Sequence, residues 1–425
     1  MLTAVAELAI DGTFFIDGML VKSSVGIRNG KIVGIRKNIE ASERKTFDNA
    51  IIIPGAVDLH VHFREPGLTH KEDISTGTMS AAFGGVTFVA DMPNTIPPTI
   101  TPERVEKKIE MFKEKAYVDF AVYAALVKGV RVKELAKKAA GFKMFMSSST
   151  GDLICDDPEL QRSLIYAAAA TGRPVMVHAE DDSLRNRIAE SNLRDHYRAR
   201  PPVCEIEAIR TLIGLANSPK APKIHVLHAT LKESVEMRHP QNLTFEVTPH
   251  HLLLDCDMHL GANGKVNPPL RRRDERLALQ RAMLSGHIDT IGSDHGPHTV
   301  EEKGNDFDYA PSGIPGVETM LPLMLNMVAS GELRLEMLVK MMCEKPARIF
   351  GLTKGRIAEG YDADLLVINM KKITTIRSES LHSKCNWTPF EGYSAIFPQS
   401  VYLRGRELVG DGSIKMKPSG KKAAV

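Results

Sequence analysis

Through the middle of the chain, short apolar runs recur at regular intervals: "GAVDLH", "VTFVAD", "VDFAVYAAL", "GFKMFM", "PVMVHAE", "IHVLHA", "LTFEVT" and "IDTIGSD". Runs that are apolar on consecutive positions fit strands covered on both faces, as in a parallel sheet. Between most of them lie segments with helical spacing of apolar residues, such as "TPERVEKKIEMFKEKA", "DPELQRSLIYAAAATG" and "RRRDERLALQRAMLSG". Eight strands alternating with helices over about 300 residues predict a (β/α)8 TIM-like barrel. An open doubly wound sheet would want a glycine-rich phosphate turn after an early strand. "AFGGVTF" offers only Gly84 and Gly85, and no GxGxxG is present.

The two ends have a different texture. "TFFIDGMLVKSSVGIRNGKIVGI" alternates apolar and polar residues and carries an Asp-Gly and an Asn-Gly turn signal, which predicts short strands joined by hairpins. The pattern returns in "KGRIAEGYDADLLVI" and "QSVYLRGRELVGDG", so the ends are expected to pair into one small β-sandwich domain. The predicted organisation is residues 1–53 and 355–425 for that domain, with a basic tail, and 54–354 for the barrel. From about Lys415 onward, "KMKPSGKK" reads as disordered.

At 425 residues, 43% hydrophobic and 25% charged, the chain can bury a large core. Its net charge of +3 is small and its basic residues are scattered, which argues against nucleic acid and anionic membranes as partners. The N-terminal stretch lacks a basic leader region, and no run reaches the roughly 20 apolar residues of a membrane helix. Cys155, Cys204, Cys256, Cys343 and Cys385 are odd in number and contain no CxxC pair, so neither disulfides nor a thiolate metal site is expected. A cytoplasmic location follows as the expectation.

Chemistry enters at the strand ends. In "VDLHVHFREPG", His60 and His62 are two apart and share one face of a strand, and Arg64 follows in step. A lone HxH is more often an ordinary strand pair than a metal grip. The other strands, however, end in the same way: Lys143 lies in "GFKMFM", His178 closes "PVMVH", His228 closes "IHVLH" and Asp294 closes "IDTIGSD". Singly, these would be core histidines or a turn aspartate. Six polar groups at the C-terminal ends of barrel strands, where barrel enzymes assemble their sites, point to a divalent metal centre. Nitrogen and oxygen donors without thiolate favour zinc, and the donors outnumber what one tetrahedral ion uses, so two ions are possible.

Long blocks of the chain, among them "PGAVDLHVHFREPG", "HKEDISTGTMSAAFGGVTFVADMPNT", "VTPHHLLLD", "KVNPPLR", "GSDHGPHT", "GIPGVETMLPLML" and "KGRIAEGYDADLLVI", resemble the amidohydrolase superfamily, and within it the dihydroorotases of the long, barrel-plus-β-domain type. The similarity runs nearly end to end. It implies that His60, His62 and Asp294 hold one zinc ion, that His178 and His228 hold a second, and that a carboxylated Lys143 bridges them. Some relatives bridge with an aspartate, which leaves Asp152 as an alternative. It implies a metal-bound hydroxide as nucleophile and Asp294 as general acid and base. The activity implied is the reversible cyclisation of N-carbamoyl-L-aspartate to L-dihydroorotate, a step of pyrimidine biosynthesis, by a homo-oligomer acting on this small-molecule substrate.

On the same resemblance Arg64, Asn94 and His298 hold the substrate carboxylate, and Asn267 contacts the ring. A guanidinium suits a carboxylate because it offers two parallel N–H donors. The plainer reading of Arg64 is a salt bridge to Glu65 or Asp91, and of His298 a structural histidine. Allantoinase or dihydropyrimidinase activity, or a non-catalytic scaffold, are the rival functions. Residues 298–316 read as a loop over the site or as a surface connection. His250 and His251 read equally as supports behind the site or as capping and packing residues, while Trp387 and the stripe Met320, Met324 and Met327 read as packing.

Overall fold

The computed structural model describes residues 5–148, 153–218 and 222–423. At the N-terminus the alternating pattern becomes β1 (Ala6–Ile16), β2 (Met19–Arg28), β3 (Lys31–Arg36) and β4 (Ala41–Pro54). The turns are where the dipeptide signals lie. Asp17 and Gly18 have φ of 47° and 86°, and Asn29 and Gly30 have 51° and 75°, the left-handed pair that a two-residue hairpin requires. Strands β1 and β2 are longer than expected, and β4 is 14 residues long. Its first ten residues, "ASERKTFDNA", are too polar to signal a strand by composition and are held by pairing parallel to β1.

All eight apolar runs form parallel strands: β5 (Ala56–Val61), β6 (Val86–Asp91), β7 (Asp119–Ala125), β8 (Gly141–Phe145), β9 (Val175–His178), β10 (Ile224–Val226), β11 (Leu243–Val247) and β12 (Thr290–Ile291). They pair in sequence order, and a parallel bridge from Val61 to His295, with the His62 N–H donating to the His295 carbonyl at 2.8 Å, brings the first strand to the last. This is a (β/α)8 barrel. The covering helices start where the sequence supplies caps. Thr101 and Asp157 accept from the first turns of helices Pro102–Lys115 and Pro158–Ala169, each with proline in its first turn. The register of β5 against β6 shifts between Asp58 and Val61, a bulge that re-aims the strand as it reaches His60.

The chain then returns to the end sheet. β13 (Leu365–Ile368) pairs antiparallel to β4. A two-stranded pair, β14 (Thr374–Thr375) and β15 (Ser394–Ala395), follows, and β16 (Ser400–Leu403), β17 (Arg406–Gly410) and β18 (Ser413–Ile414) complete the eight-stranded sheet β18-β17-β16-β13-β4-β1-β2-β3. Phe14, Val25, Ile52, Leu365 and Val367, from both chain ends, share one buried apolar cluster. Residues between β14 and β15 pack on the barrel instead, where Ser383 meets Glu72 and Trp387 meets His298.

Barrel, sheet and tail are tied by one ionic knot. Lys354 Nζ lies 2.7 Å from Asp119, 2.6 Å from Asp364 and 3.1 Å from Asp362. Arg404 adds an ion pair to Asp119 and donates to the Ser419 carbonyl at 2.7 Å. The expectation of a disordered tail is therefore corrected up to residue 423. The Lys421 N–H donates to Asp119 at 2.7 Å, and Lys422 bridges to Phe120 on β7. Composition misleads here because the segment is held through its backbone: the N–H groups of Ser419 and Gly420 donate to the Ala116 carbonyl at 3.0 and 2.8 Å.

Lys354 is 6% exposed among three carboxylates. Lys354→Met is expected to cost about 3–5 kcal/mol by stranding buried charge, read as a lower urea midpoint. An unchanged midpoint would show that the knot does not hold the parts together.

Candidate metal centre and the cavity beside it

At the C-terminal end of the barrel, the expected residues come from different strands and are all buried: His60 1%, His62 9%, Lys143 1%, His178 1%, His228 2% and Asp294 8% exposed. Nε2 of His60 and of His62 lie 2.9 and 3.2 Å from Asp294 Oδ1. His178 Nδ1 lies 3.1 Å from His228 Nε2, and the ring centroids of His60 and His228 are 5.3 Å apart. One donor atom each of His60, His228 and Asp294 fall within 4.8 Å of one another. His228 and Asp294 follow their strands at φ of 40° and 45°, and Arg64 has 62°. Non-glycine residues held in the left-handed region store strain that the surrounding structure has to support.

Electrostatics favour a cation here. Burial lowers the pKa of His62 to about 3 and that of His228 well below the ordinary value, leaving neutral imidazoles with lone pairs. Burial also opposes charge on His60, but Asp294 and Glu246 outweigh it and raise its pKa to about 9. Burial pushes Lys143 down to about 7, partly countered by Asp294 and Glu246, so a neutral amine is accessible. Lys143 Nζ lies 4.6 Å from the centre of the Phe145 ring. His228 Nδ1 is buried without a hydrogen-bond partner. A shared carboxylate, the neutral imidazoles of His62 and His228, a carboxylate-flanked His60 whose proton a cation would replace, and an orphaned ring nitrogen form a donor set that fits a divalent ion. Asp152 lies outside the described residues.

Several functional neighbours escaped the sequence reading. Glu246 Oε1 accepts from His60 Nδ1 at 2.8 Å. Glu180 meets His178 Nε2 at 2.8 Å and is backed by an ion pair with Arg200. Asp58 accepts from the His60 and Ser293 backbones at 3.0 and 3.2 Å. The only signal was an acid inside, or two residues beyond, an apolar strand run. His251, by contrast, is held between Thr248 and the Pro268 carbonyl.

Beside the metal cluster lies a small cavity lined by His62, Arg64, Asn94, Val266, Asn267, Asp294, Gly296, Ser312 and Gly313. Glu65 and Asp91 are engaged by Lys115 and Lys108, and no carboxylate among the described residues lies within ion-pair distance of Arg64. Arg64 Nε donates to the Pro297 carbonyl at 3.1 Å, and a terminal nitrogen lies 3.2 Å from His298 Nε2. Burial lowers the guanidinium pKa to about 10, so it keeps its charge at neutral pH. Asn94 Oδ1 is 2.7 Å from His62 Nδ1, which links the cavity to the metal cluster.

Ser312 and Gly313, within the segment 298–316, contribute to the wall of this cavity. Buried Lys303 donates to the carbonyls of Lys265, Pro311 and Gly313 at 3.2, 2.9 and 3.1 Å. Trp387, read as packing alone, also donates to the His298 carbonyl at 2.7 Å. The segment is thereby fastened both to the loop carrying Asn267 and to the stretch between β14 and β15.

A parallel barrel whose strand ends converge imidazoles and a carboxylate on one point is the architecture of a metal-assisted hydrolase. Residues 51–397 match the model of the amidohydrolase family. A dihydroorotase of Methanothermobacter thermautotrophicus is 39% identical, covering 92% of each chain, and one of Thermoplasma volcanium is 38% identical over 98% of this chain and 97% of the relative. Among solved structures, the L-hydantoinase (dihydropyrimidinase) of Arthrobacter aurescens superposes with a TM-score of 0.93 at 29% identity, covering 98% of this chain and 99% of that one. The chain belongs to the amidohydrolase family, in its dihydroorotase branch.

Lys303→Met removes three donors to carbonyls on two loops. We expect faster amide hydrogen exchange across residues 298–316 and around Asn267, with the barrel strands unchanged. Exchange indistinguishable from wild type would show that the wall stands without this lysine.

Proposed function

We propose that the chain catalyses the dihydroorotase reaction, the reversible interconversion of N-carbamoyl-L-aspartate and L-dihydroorotate with release or uptake of water. The observation that carries this reading is a buried, charged Arg64 that has no carboxylate at ion-pair distance among the described residues and opens on the same cavity as His62 and Asp294. With a neutral cyclic amide this guanidinium keeps only the through-space fields of Asp294, Asp91, Glu302 and Glu72, whereas a substrate carboxylate pairs with it directly. Asn94 and His298 border the same charge, and Asn267 forms the opposite lip.

His60, His62 and Asp294 on one side and His178 and His228 on the other are suited to two zinc ions, with a carboxylated Lys143 between them. When bound, the ions would acidify a water molecule and polarise the reacting amide carbonyl. Neutral Lys143 is the form that takes up carbon dioxide, and its depressed pKa supports that modification. Arg64 and Asn94 hold the carboxylate, which fixes the ring relative to Asp294. In ring opening, Asp294 accepts the proton of the attacking water and delivers it to the ring nitrogen as the C–N bond breaks. In ring closure, it takes that proton from the ureido nitrogen and passes it to the departing oxygen. The neighbouring imidazoles keep its carboxyl ionised, well below the usual range, once burial has been overcome. A cytoplasmic location and a homo-oligomeric state belong to the same proposal. Five free, buried thiols support the first, and an exposed apolar hairpin tip of Met19 and Leu20, 65% and 50% exposed, supports the second.

Structural likeness to hydantoinases favours one alternative, a neutral cyclic-amide substrate. Hydrolysis of dihydroorotate, hydantoin and allantoin, followed side by side with zinc supplied, separates the two; turnover of hydantoin without dihydroorotate would overturn the proposal. Arg64→Met is expected to raise KM for dihydroorotate roughly 100-fold, the loss of one charge-assisted contact of about 3 kcal/mol. Asp294→Asn is expected to reduce kcat at least 1000-fold while the protein stays folded by circular dichroism, and retained turnover would remove Asp294 from the proton path.

A further inference from the structure

Beneath the metal cluster, the barrel carries charge where barrel cores ordinarily stack branched apolar side chains. Glu246 on β11 is fully buried. Its Oε1 accepts from two sources, the His60 ring Nδ1 at 2.8 Å and the His228 backbone N–H at 3.3 Å. These belong to different strands, and in the proposed centre to different ions. The second contact falls on a residue whose φ of 40° needs outside support. From below, His225 Nε2 lies 3.7 Å from Glu246 Oε2, and His225 is itself held by Thr244 at 2.7 Å and Thr290 at 3.2 Å. The carboxylate also fills a space that only glycine leaves open. A Cβ at Gly292 would stand 2.3 Å from Oε2 and 2.5 Å from Cδ of Glu246.

We propose that Glu246 is the positioning residue that joins the two halves of the metal centre. Accepting from Nδ1 fixes the orientation of the His60 ring and keeps its Nε2 beside Asp294, where the proposed ion would replace the Nε2 proton. Accepting from the His228 backbone sets the angle at which that ring reaches the cluster. Carboxylates behind metal-binding imidazoles work in this way generally, and their loss costs 10–100-fold in metal affinity. The distinctive feature here is that one oxygen serves two histidines, so a single change weakens both ion sites. This inference rests on the proposed metal centre.

The test uses the full chain, stripped with a chelator and titrated with Zn2+ against a chromophoric competitor, with the thermal midpoint of each metal-free form measured alongside. Glu246→Gln preserves size and removes the charge. Gly292→Ala removes no polar group but displaces the Glu246 carboxylate. We expect zinc binding to weaken 10–100-fold at both sites in each variant, with metal-free midpoints close to wild type. Wild-type affinity in a folded Glu246→Gln, or affinity lost only in step with the metal-free midpoint, would overturn the assignment. If the wild-type chain takes up no zinc, the centre itself falls, and this inference with it.

Discussion

Burial of ionisable groups at one end of the barrel is the constraint on which the rest of this structure depends. Without water, a charge is tolerated only when another charge or a set of oriented dipoles replaces its hydration. At the C-terminal rim this yields linked groups: Glu246 behind His60, Asp294 before His60 and His62, and Glu180 with Arg200 behind His178. The same constraint operates at the barrel's flank, where Lys354 and Arg404 answer Asp119 and Asp364 and draw in the C-terminal segment. Stability and function use one device in two places. At the flank the charges compensate each other, whereas at the rim His228 Nδ1 is left without a partner, as a binding site requires.

The same logic separates the two sides of the candidate site. On the metal side, burial suppresses imidazole protonation and keeps lone pairs available. On the cavity side, it suppresses nothing essential, because a guanidinium keeps its proton even at a lowered pKa of about 10. The proposed anion binder and the proposed cation binder therefore stand a few residues apart on one strand end, separated by the chemistry of arginine and histidine. The barrel scaffold is shared with hydantoinases, and in the proposed function Arg64 with its neighbours sets the substrate preference within it.

Much of this was legible in the chain. Apolar runs marked all eight barrel strands, because strands covered on both faces have no polar positions to disguise them. Turn chemistry marked the hairpins at Asp17-Gly18 and Asn29-Gly30, because few other residues tolerate that backbone. Reading polar residues at strand ends singled out His60, His62, Lys143, His178, His228 and Asp294, because a parallel barrel brings equivalent ends together. The polar half of β4 and the basic tail were not legible, since each is held by partners remote in sequence.

What the sequence determined by itself was therefore which residue types stand at the ends of which strands, and hence a barrel with donors gathered at one rim. What only the tertiary structure decided was how each donor is aimed. Glu246, Glu180 and Lys303 meet partners 186, 20 and 38 residues away, and an acid inside an apolar run looks the same whether it supports a ligand or merely tolerates burial. The physical reason is that position along a strand is local information, whereas the pairing of a buried charge is settled by whatever the fold places against it.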